Sequence, residues 1–109
     1  MKNLKFDVSG DRITPDPKCD FSGLYPRMTE PVRLEFSFSP EWKNVVKVAA
    51  FWSAMGREYP PRVIEDDLSC IVPTEALQNE VFRVQIFGKQ NGEKTSTSKR
   101  TVFLKGDST

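Results

Sequence analysis

The sequence contains no histidine, and only two of its 109 residues are cysteine. Histidine is the commonest general base, metal ligand and proton switch near neutral pH. Without it, a serine or cysteine nucleophile lacks its usual base, and the chain has neither a G-x-S-x-G turn nor a glycine-rich phosphate loop. We therefore expect a protein that is not an enzyme, with no catalytic residues, no metal site and no cofactor.

The chain also lacks long apolar runs and an excess of one charge. No stretch approaches the ~18–20 consecutive apolar residues of a membrane span, and residues 1–7 lack the apolar run of a signal peptide. The 16 basic and 15 acidic side chains are spread over both halves of the chain, which argues against a positive field for phosphate binding. We expect no membrane span, no nucleic-acid partner and synthesis inside a cell.

The two cysteines, Cys19 and Cys70, lie far apart and form no C-x-x-C pair, which argues against a zinc knuckle. A disulfide between them would form only after the chain had left a reducing compartment. We expect two buried or half-buried free thiols, with the disulfide as the alternative.

Alternation of apolar and polar residues is clearest in Val32–Phe38, where every second side chain is apolar. This period of two predicts a half-buried strand. Residues 45–52 are apolar on both faces, which predicts a strand packed on two sides. Further strands are predicted at residues 4–8, 68–72, 81–87 and 101–104, with a weak edge strand at 56–64.

Turn residues break the chain every ~8–12 positions, which is typical of an antiparallel β-sandwich or a small barrel. Asn91-Gly92 predicts a hairpin turn, because both residues tolerate positive φ. Residues 74–77, after Pro73, predict a single helical turn. The fold prediction is therefore all-β, an antiparallel β-sandwich of about six or seven short strands, in one domain over residues 1–109.

The aromatic and acidic residues each allow two interpretations. Trp42, Phe51, Trp52 and Tyr59 could form a platform for a carbohydrate or peptide, but we favour the core for Trp42 and Phe51. Phe36, Val84 and Ile86 also lie on the apolar phase of their strands. Residues 65–67 are three consecutive acids that could hold calcium, but adjacent strand side chains diverge, which favours a solvated turn.

Residues 14–31 are rich in proline and lack a periodic apolar run, which predicts an irregular N-terminal arm or loop. The candidate partner-binding residues are Phe21, Leu24, Tyr25 and Met28 in this arm, with Tyr59 in a proline-containing loop. Such a segment has apolar anchors to offer a neighbouring subunit. The alternative is a surface loop that covers its own sandwich.

Four segments carry a resemblance to a known family: Ser39-Pro40-Glu41-Trp42, Val46-Lys47-Val48-Ala49-Ala50-Phe51, Cys70-Ile71-Val72-Pro73-Thr74-Glu75-Ala76-Leu77, and Phe82-Arg83-Val84-Gln85-Ile86-Phe87-Gly88. Their order resembles the small, immunoglobulin-like β-sandwich modules of tailed-bacteriophage virion proteins. The similarity covers about residues 30–88 and marks a fold, not a catalytic site. Physically, Trp42 would cap one end of the sandwich, Leu77 would cover an end, and Gly88 would permit a turn after its strand.

The resemblance implies a non-enzymatic virion structural protein: a capsid-decorating, head-fibre-base or tail adaptor module. Its partners would be other virion proteins, namely capsid, tail or fibre subunits, and it would form a homo-oligomer or bind a lattice. It would be made in the host cytoplasm and located in the virion. The alternative function is a carbohydrate- or peptide-binding β-sandwich engaged in host attachment.

Overall fold

A computed structural model describes residues 1–104, which form two β-sheets packed around one core. The strands are β1 (Lys2–Ser9), β2 (Arg12–Pro15), β3 (Val32–Phe38), β4 (Val46–Trp52), β5 (Glu58–Val63), β6 (Ser69–Ile71), β7 (Val81–Gln90), β8 (Glu93–Ser96) and β9 (Arg100–Phe103). Short 3₁₀ turns span Pro40–Trp42 and Thr74–Leu77. The all-β sandwich prediction is confirmed. Within residues 1–104, no helix has the length and apolar character that crossing a membrane requires.

The first sheet has the strand order β2-β1-β3-β6, and its two central strands are parallel. Leu4 pairs with Leu34 and Phe6 with Phe36 across these strands. All four side chains are buried against the second sheet. The alternation seen in the sequence therefore follows from strands with one face in the core.

The second sheet has the order β5-β4-β7, and β8 and β9 share the far edge of β7. Phe87 faces Ser96, whereas Val84 faces Arg100. The three residue-to-residue steps from Phe87 to Val84 on β7 thus match four such steps, from Ser96 to Arg100, on the neighbouring segment. One extra residue on one side of a strand pair is a β-bulge. Thr97 still pairs with Ile86, because its Oγ1 accepts a hydrogen bond from the Ile86 N–H and its own N–H donates to the Ile86 carbonyl. The extra residue therefore lies between Thr97 and Arg100.

Nine strands are present in residues 1–104, not six or seven, and the two that were not predicted are β2 and β8. Both are four-residue edge strands, and β8 is exposed at every position. β8 has no apolar face, and β2 alternates only through Ile13 and Pro15, a pattern too short to predict a strand. The hairpin that leads into β8 was predicted, and Asn91 and Gly92 have φ of 52° and 82°.

The predicted helical turn at Thr74–Leu77 is confirmed, and Leu77 is buried at its end. The turn at Pro40–Trp42 was not predicted as a helix, but Trp42 does cap the sandwich. Its ring is buried, and its Nε1 donates to the Gly10 carbonyl at 3.0 Å. This bond ties the β3–β4 crossing to the β1–β2 turn.

Gly88 lies inside β7 and does not form a turn, so the prediction for this residue is wrong. Its φ is outside the left-handed region, and the strand continues to Gln90. A Cβ here would lie 2.9 Å from Trp42 Cζ3 and would also meet Val45. The position requires glycine because the Trp42 ring occupies the space of a side chain.

The prediction of an irregular arm at residues 14–31 is corrected in two respects. Thr14 and Pro15 belong to β2, and the remaining loop covers its own core. Leu24 and Met28 are buried, and the Phe21 ring packs edge-on against Phe6 at a centroid distance of 6.0 Å. The arm therefore closes the sandwich, which matches the alternative interpretation.

Replacing adjacent residues of the arm tests this assignment. Leu24→Ala should lower the free energy of unfolding by about 2–5 kcal/mol, because it opens a cavity in the core. Tyr25 is 50% exposed, so Tyr25→Ala should change the free energy of unfolding by no more than about 0.5 kcal/mol. Urea denaturation followed by tryptophan fluorescence measures both. Equal effects of the two substitutions would contradict the packing described.

The core residues predicted from alternation are confirmed: Phe36, Phe51, Val84 and Ile86 are all buried. Phe51 pairs with Val84 and its ring lies 6.0 Å from that of Phe82. These contacts place it at the centre of the second sheet's inner face.

Phe51→Ala should therefore cost about 3–5 kcal/mol of the free energy of unfolding. The matched control is Phe103→Ala, which removes a ring that is 63% exposed and should cost far less. Thermal melts of both variants provide the comparison. A Phe51→Ala protein as stable as the wild type would disprove the strand register.

Candidate docking surface

The outer faces of the two sheets differ in chemistry. On the first sheet, the outward side chains of β1 and β3 are polar: Asn3, Lys5 and Asp7 stand beside Arg33, Glu35 and Ser37. Lys5 and Glu35 occupy the same position in the parallel register. This is the composition expected of a solvated face.

On the second sheet, the central strand β4 presents only apolar side chains outward: Val46, Val48, Ala50 and Trp52. Val48 pairs with Val63 of β5 on one side and with Phe87 of β7 on the other. An apolar row therefore crosses three neighbouring strands. We call this surface, made by the outward side chains of β4, β5 and β7, the outer face.

The outer face is exposed in the described chain. Val46 is 69% exposed, Val63 58% and Phe87 39%. The prediction that residues 45–52 pack on two sides is therefore confirmed on the inner side, where Ala49 and Phe51 are buried, and only at Ala50 on the outer side. Residues 1–104 cover the outer side only in part: Ala50 is buried and Lys99 lies over the Trp52 ring, whereas Val46 is left exposed. Exposed contiguous apolar surface rimmed by polar groups typically marks an interaction site.

Cations surround the apolar row on its β7 side. Lys99 Nζ lies 4.1 Å from the centre of the Trp52 ring, which is a cation–π contact. Arg83 stands opposite Trp52, and Lys89 stands opposite Lys94 of β8. In the described chain, Trp52 Nε1 and Arg83 Nε are buried without a hydrogen-bond acceptor. This end of the face thus has unused hydrogen-bonding capacity.

The sheet edges are poorly suited to pairing with another chain. The edge strand β5 contains Pro60 and Pro61, which have no N–H to donate. The edge strand β2 ends with Pro15, and β6 is three residues long. Proline, short length and bulges are the usual protections of an edge. These three edge strands are therefore protected against pairing with another chain.

The structure does not bring the five predicted partner-binding residues together as an exposed surface. Leu24, Met28 and Tyr59 are buried, Phe21 is half-buried against the core, and Tyr25 is half exposed. The interpretation of Leu24, Met28 and Tyr59 as exposed anchors is wrong, because these side chains stabilise their own domain.

Among the exposed apolar residues that sequence reasoning did not select, Val46, Val63 and Phe87 lie together on the outer face. One signal could have found them. A strand that is apolar on both faces needs two covering layers, and a β-sandwich supplies one.

Tyr59 lines an open groove of about 660 Å³ at one end of the second sheet. The other lining residues are Ser53, Ala54, Met55, Arg57, Asn79, Glu80 and Val81. Asn79 Nδ2 donates to the Tyr59 hydroxyl at 3.4 Å, and Met55 is 97% exposed. The groove is mainly apolar and is lined by an aromatic edge, an amide and a guanidinium.

The acidic cluster forms a turn. The Leu68 N–H donates to the Glu65 carbonyl at 2.8 Å, and Asp67 pairs with Arg33 at 2.9 Å. A hydrogen bond from Ser69 lowers the pKa of Asp67, and the Arg33 charge acts in the same direction. The solvated-turn interpretation is confirmed. Within residues 1–104, no group of three or more His, Cys, Asp or Glu could hold a metal.

Both cysteines are free. Burial raises the pKa of the Cys70 thiol to about 12, although the charge of Arg62 opposes this. Burial also raises the pKa of Cys19, whose sulfur accepts a hydrogen bond from the Lys5 N–H. Since the thiolate is the nucleophile, neither cysteine is activated.

No model of a known protein family matches the chain, and a search of curated proteins found no sequence match.

The thiols provide a direct test of the packing around them. At pH 8, a rise of the Cys70 pKa from 9.0 to about 12 leaves about a thousandfold less thiolate. The native protein should therefore react very slowly with a disulfide reagent at Cys70. After denaturation without reductant, two thiols should be titrated. Rapid native labelling of Cys70 would contradict its burial, and an absence of free thiols after denaturation would reveal a disulfide.

Proposed function

We propose that this protein is a non-enzymatic structural protein that acts by protein–protein contact through the outer face. The observation that supports this most strongly is the apolar row Val63, Val48 and Phe87, in which Val63 and Phe87 are exposed and Val48 is partly exposed between them. Covering such a row removes apolar surface from water at roughly 25 cal/mol per Å². A partner therefore gains more here than on the charged face of the first sheet.

The proposed setting is a bacteriophage virion, as a capsid-decorating, head-fibre-base or tail adaptor module. Its support is the resemblance of residues 30–88 to virion β-sandwich modules. A compact sandwich with one apolar outer face suits this role, because pre-organised partners dock with little change of backbone. The partners would be capsid, tail or fibre subunits.

Particles purified from phage-producing cells test this proposal. Mass spectrometry should find the chain in wild-type particles. Phe87→Asp should abolish its incorporation, because it places an unpaired charge in the contact. The matched control is Ser37→Asp, on the outer face of the first sheet, which should be incorporated normally. Absence of the wild-type chain from particles overturns the virion setting, and normal incorporation of Phe87→Asp overturns the docking face.

A second candidate function is the binding of a carbohydrate or peptide in the groove beside Tyr59. The observation that favours it is the open apolar groove with Asn79 and Arg57 on its walls. Under this alternative, Asn79→Ala should abolish binding to a glycan or peptide array and leave particle incorporation unchanged.

A further inference from the structure

We infer that the outer face binds a second copy of this chain, around a two-fold axis that runs parallel to β4. This inference rests on the proposed function, since it names the partner of the same face. The observation behind it is the arrangement of charges on the two sides of the apolar row.

The β5 side of the outer face is acidic. Glu58 stands opposite Trp52 in the sheet register. Glu65 and Asp66 line a concavity together with Val63. Lys47 also lines it, but its Nζ donates to the Val45 carbonyl and lies over the Phe38 ring. The described chain contains no salt bridge to any of these three carboxylates. This side is therefore free to attract cations.

The β7–β8 side of the outer face is basic. Arg83 lies in the same cross-strand row as Glu58, since both flank Trp52. Lys89 lies in the row of Val46 and directly opposite Lys94. Like charges that face each other across a strand pair are destabilising. No salt bridge within residues 1–104 relieves this pair.

A two-fold axis along β4 exchanges the two sides of the face and preserves position along the strands. Val63 of one copy then meets Phe87 of the other, and Val48 meets its own counterpart. Glu58 meets Arg83 of the other copy, while Glu65 and Asp66 approach the two lysines. An axis perpendicular to β4 would instead place acid against acid and base against base. Charge complementarity therefore selects one symmetry.

This symmetry also suits the packing of sheets. It keeps the strands of the two copies roughly aligned, and aligned sheets pack at about −30° with a separation of about 10 Å. The dimer would be a stack of four sheets, two from each copy. Both copies of β4 would then be buried on two faces. That burial is what the composition of residues 45–52 predicts.

Sedimentation of the full chain at about 100 µM tests this, a concentration at which a micromolar dimer is mostly associated. The expected mass is twice 12.4 kDa. The double variant Lys89→Glu/Lys94→Glu should raise the dimer dissociation constant at least about tenfold, because acids would face acids. The double variant Glu65→Lys/Asp66→Lys should also raise the dimer dissociation constant at least about tenfold, because bases would face bases. The matched control, Lys5→Glu/Arg12→Glu on the first sheet, should leave the mass unchanged.

Mixing the two double variants is the decisive measurement. Each interface of the mixed pair joins an acidic side to a basic side, so a dimer of wild-type affinity should form again. A monomeric wild type, or a dimer that mixing does not restore, overturns the inference. If the wild-type protein is a monomer but Phe87→Asp still abolishes its incorporation into particles, the inference of a second copy is overturned and the proposed function is retained. Thermal melts establish that each variant is folded.

Discussion

The Trp42 ring, packed where Gly88 lacks a side chain, holds the two sheets together at one end of the sandwich. Trp42 belongs to the turn by which the chain leaves the first sheet and enters the second. Its Nε1 donates to the Gly10 carbonyl, and the Gly10 N–H donates to Glu41 at 2.7 Å. The position of β4 depends on this corner, and so does the outer face that β4 presents.

Most of the fold follows from period-two alternation, as in β3 and β7, because one face of each strand lies in the core. The strands β2 and β8 could not be predicted in this way, since their pairing is decided by neighbours and not by an apolar stripe. The arm shows the same limit. Leu24 and Met28 lack periodicity, yet both are buried, because an irregular loop can supply single side chains to the end of a sandwich.

The candidate site was only partly predictable. The sequence indicates that residues 45–52 are apolar on both faces, but it does not indicate which of the two faces lacks a sheet packed against it. That requires the register, which joins Val48 to Val63 and Phe87. Tyr59 is buried, contrary to the expectation of an exposed side chain, because its ring belongs to the inner face opposite Phe51, although its hydroxyl reaches Asn79.

The parallel pairing of β1 with β3 has a consequence for the order of events after synthesis. These strands are separated by β2 and the whole arm, so the first strand has no β3 to pair with until the intervening loop has been made and closed. The apolar row of the second sheet is likewise complete only when β5 and β7 have paired with β4. A half-folded chain therefore does not present a finished interface. Under the proposed function, a partner that needs the whole apolar row would bind only completed molecules.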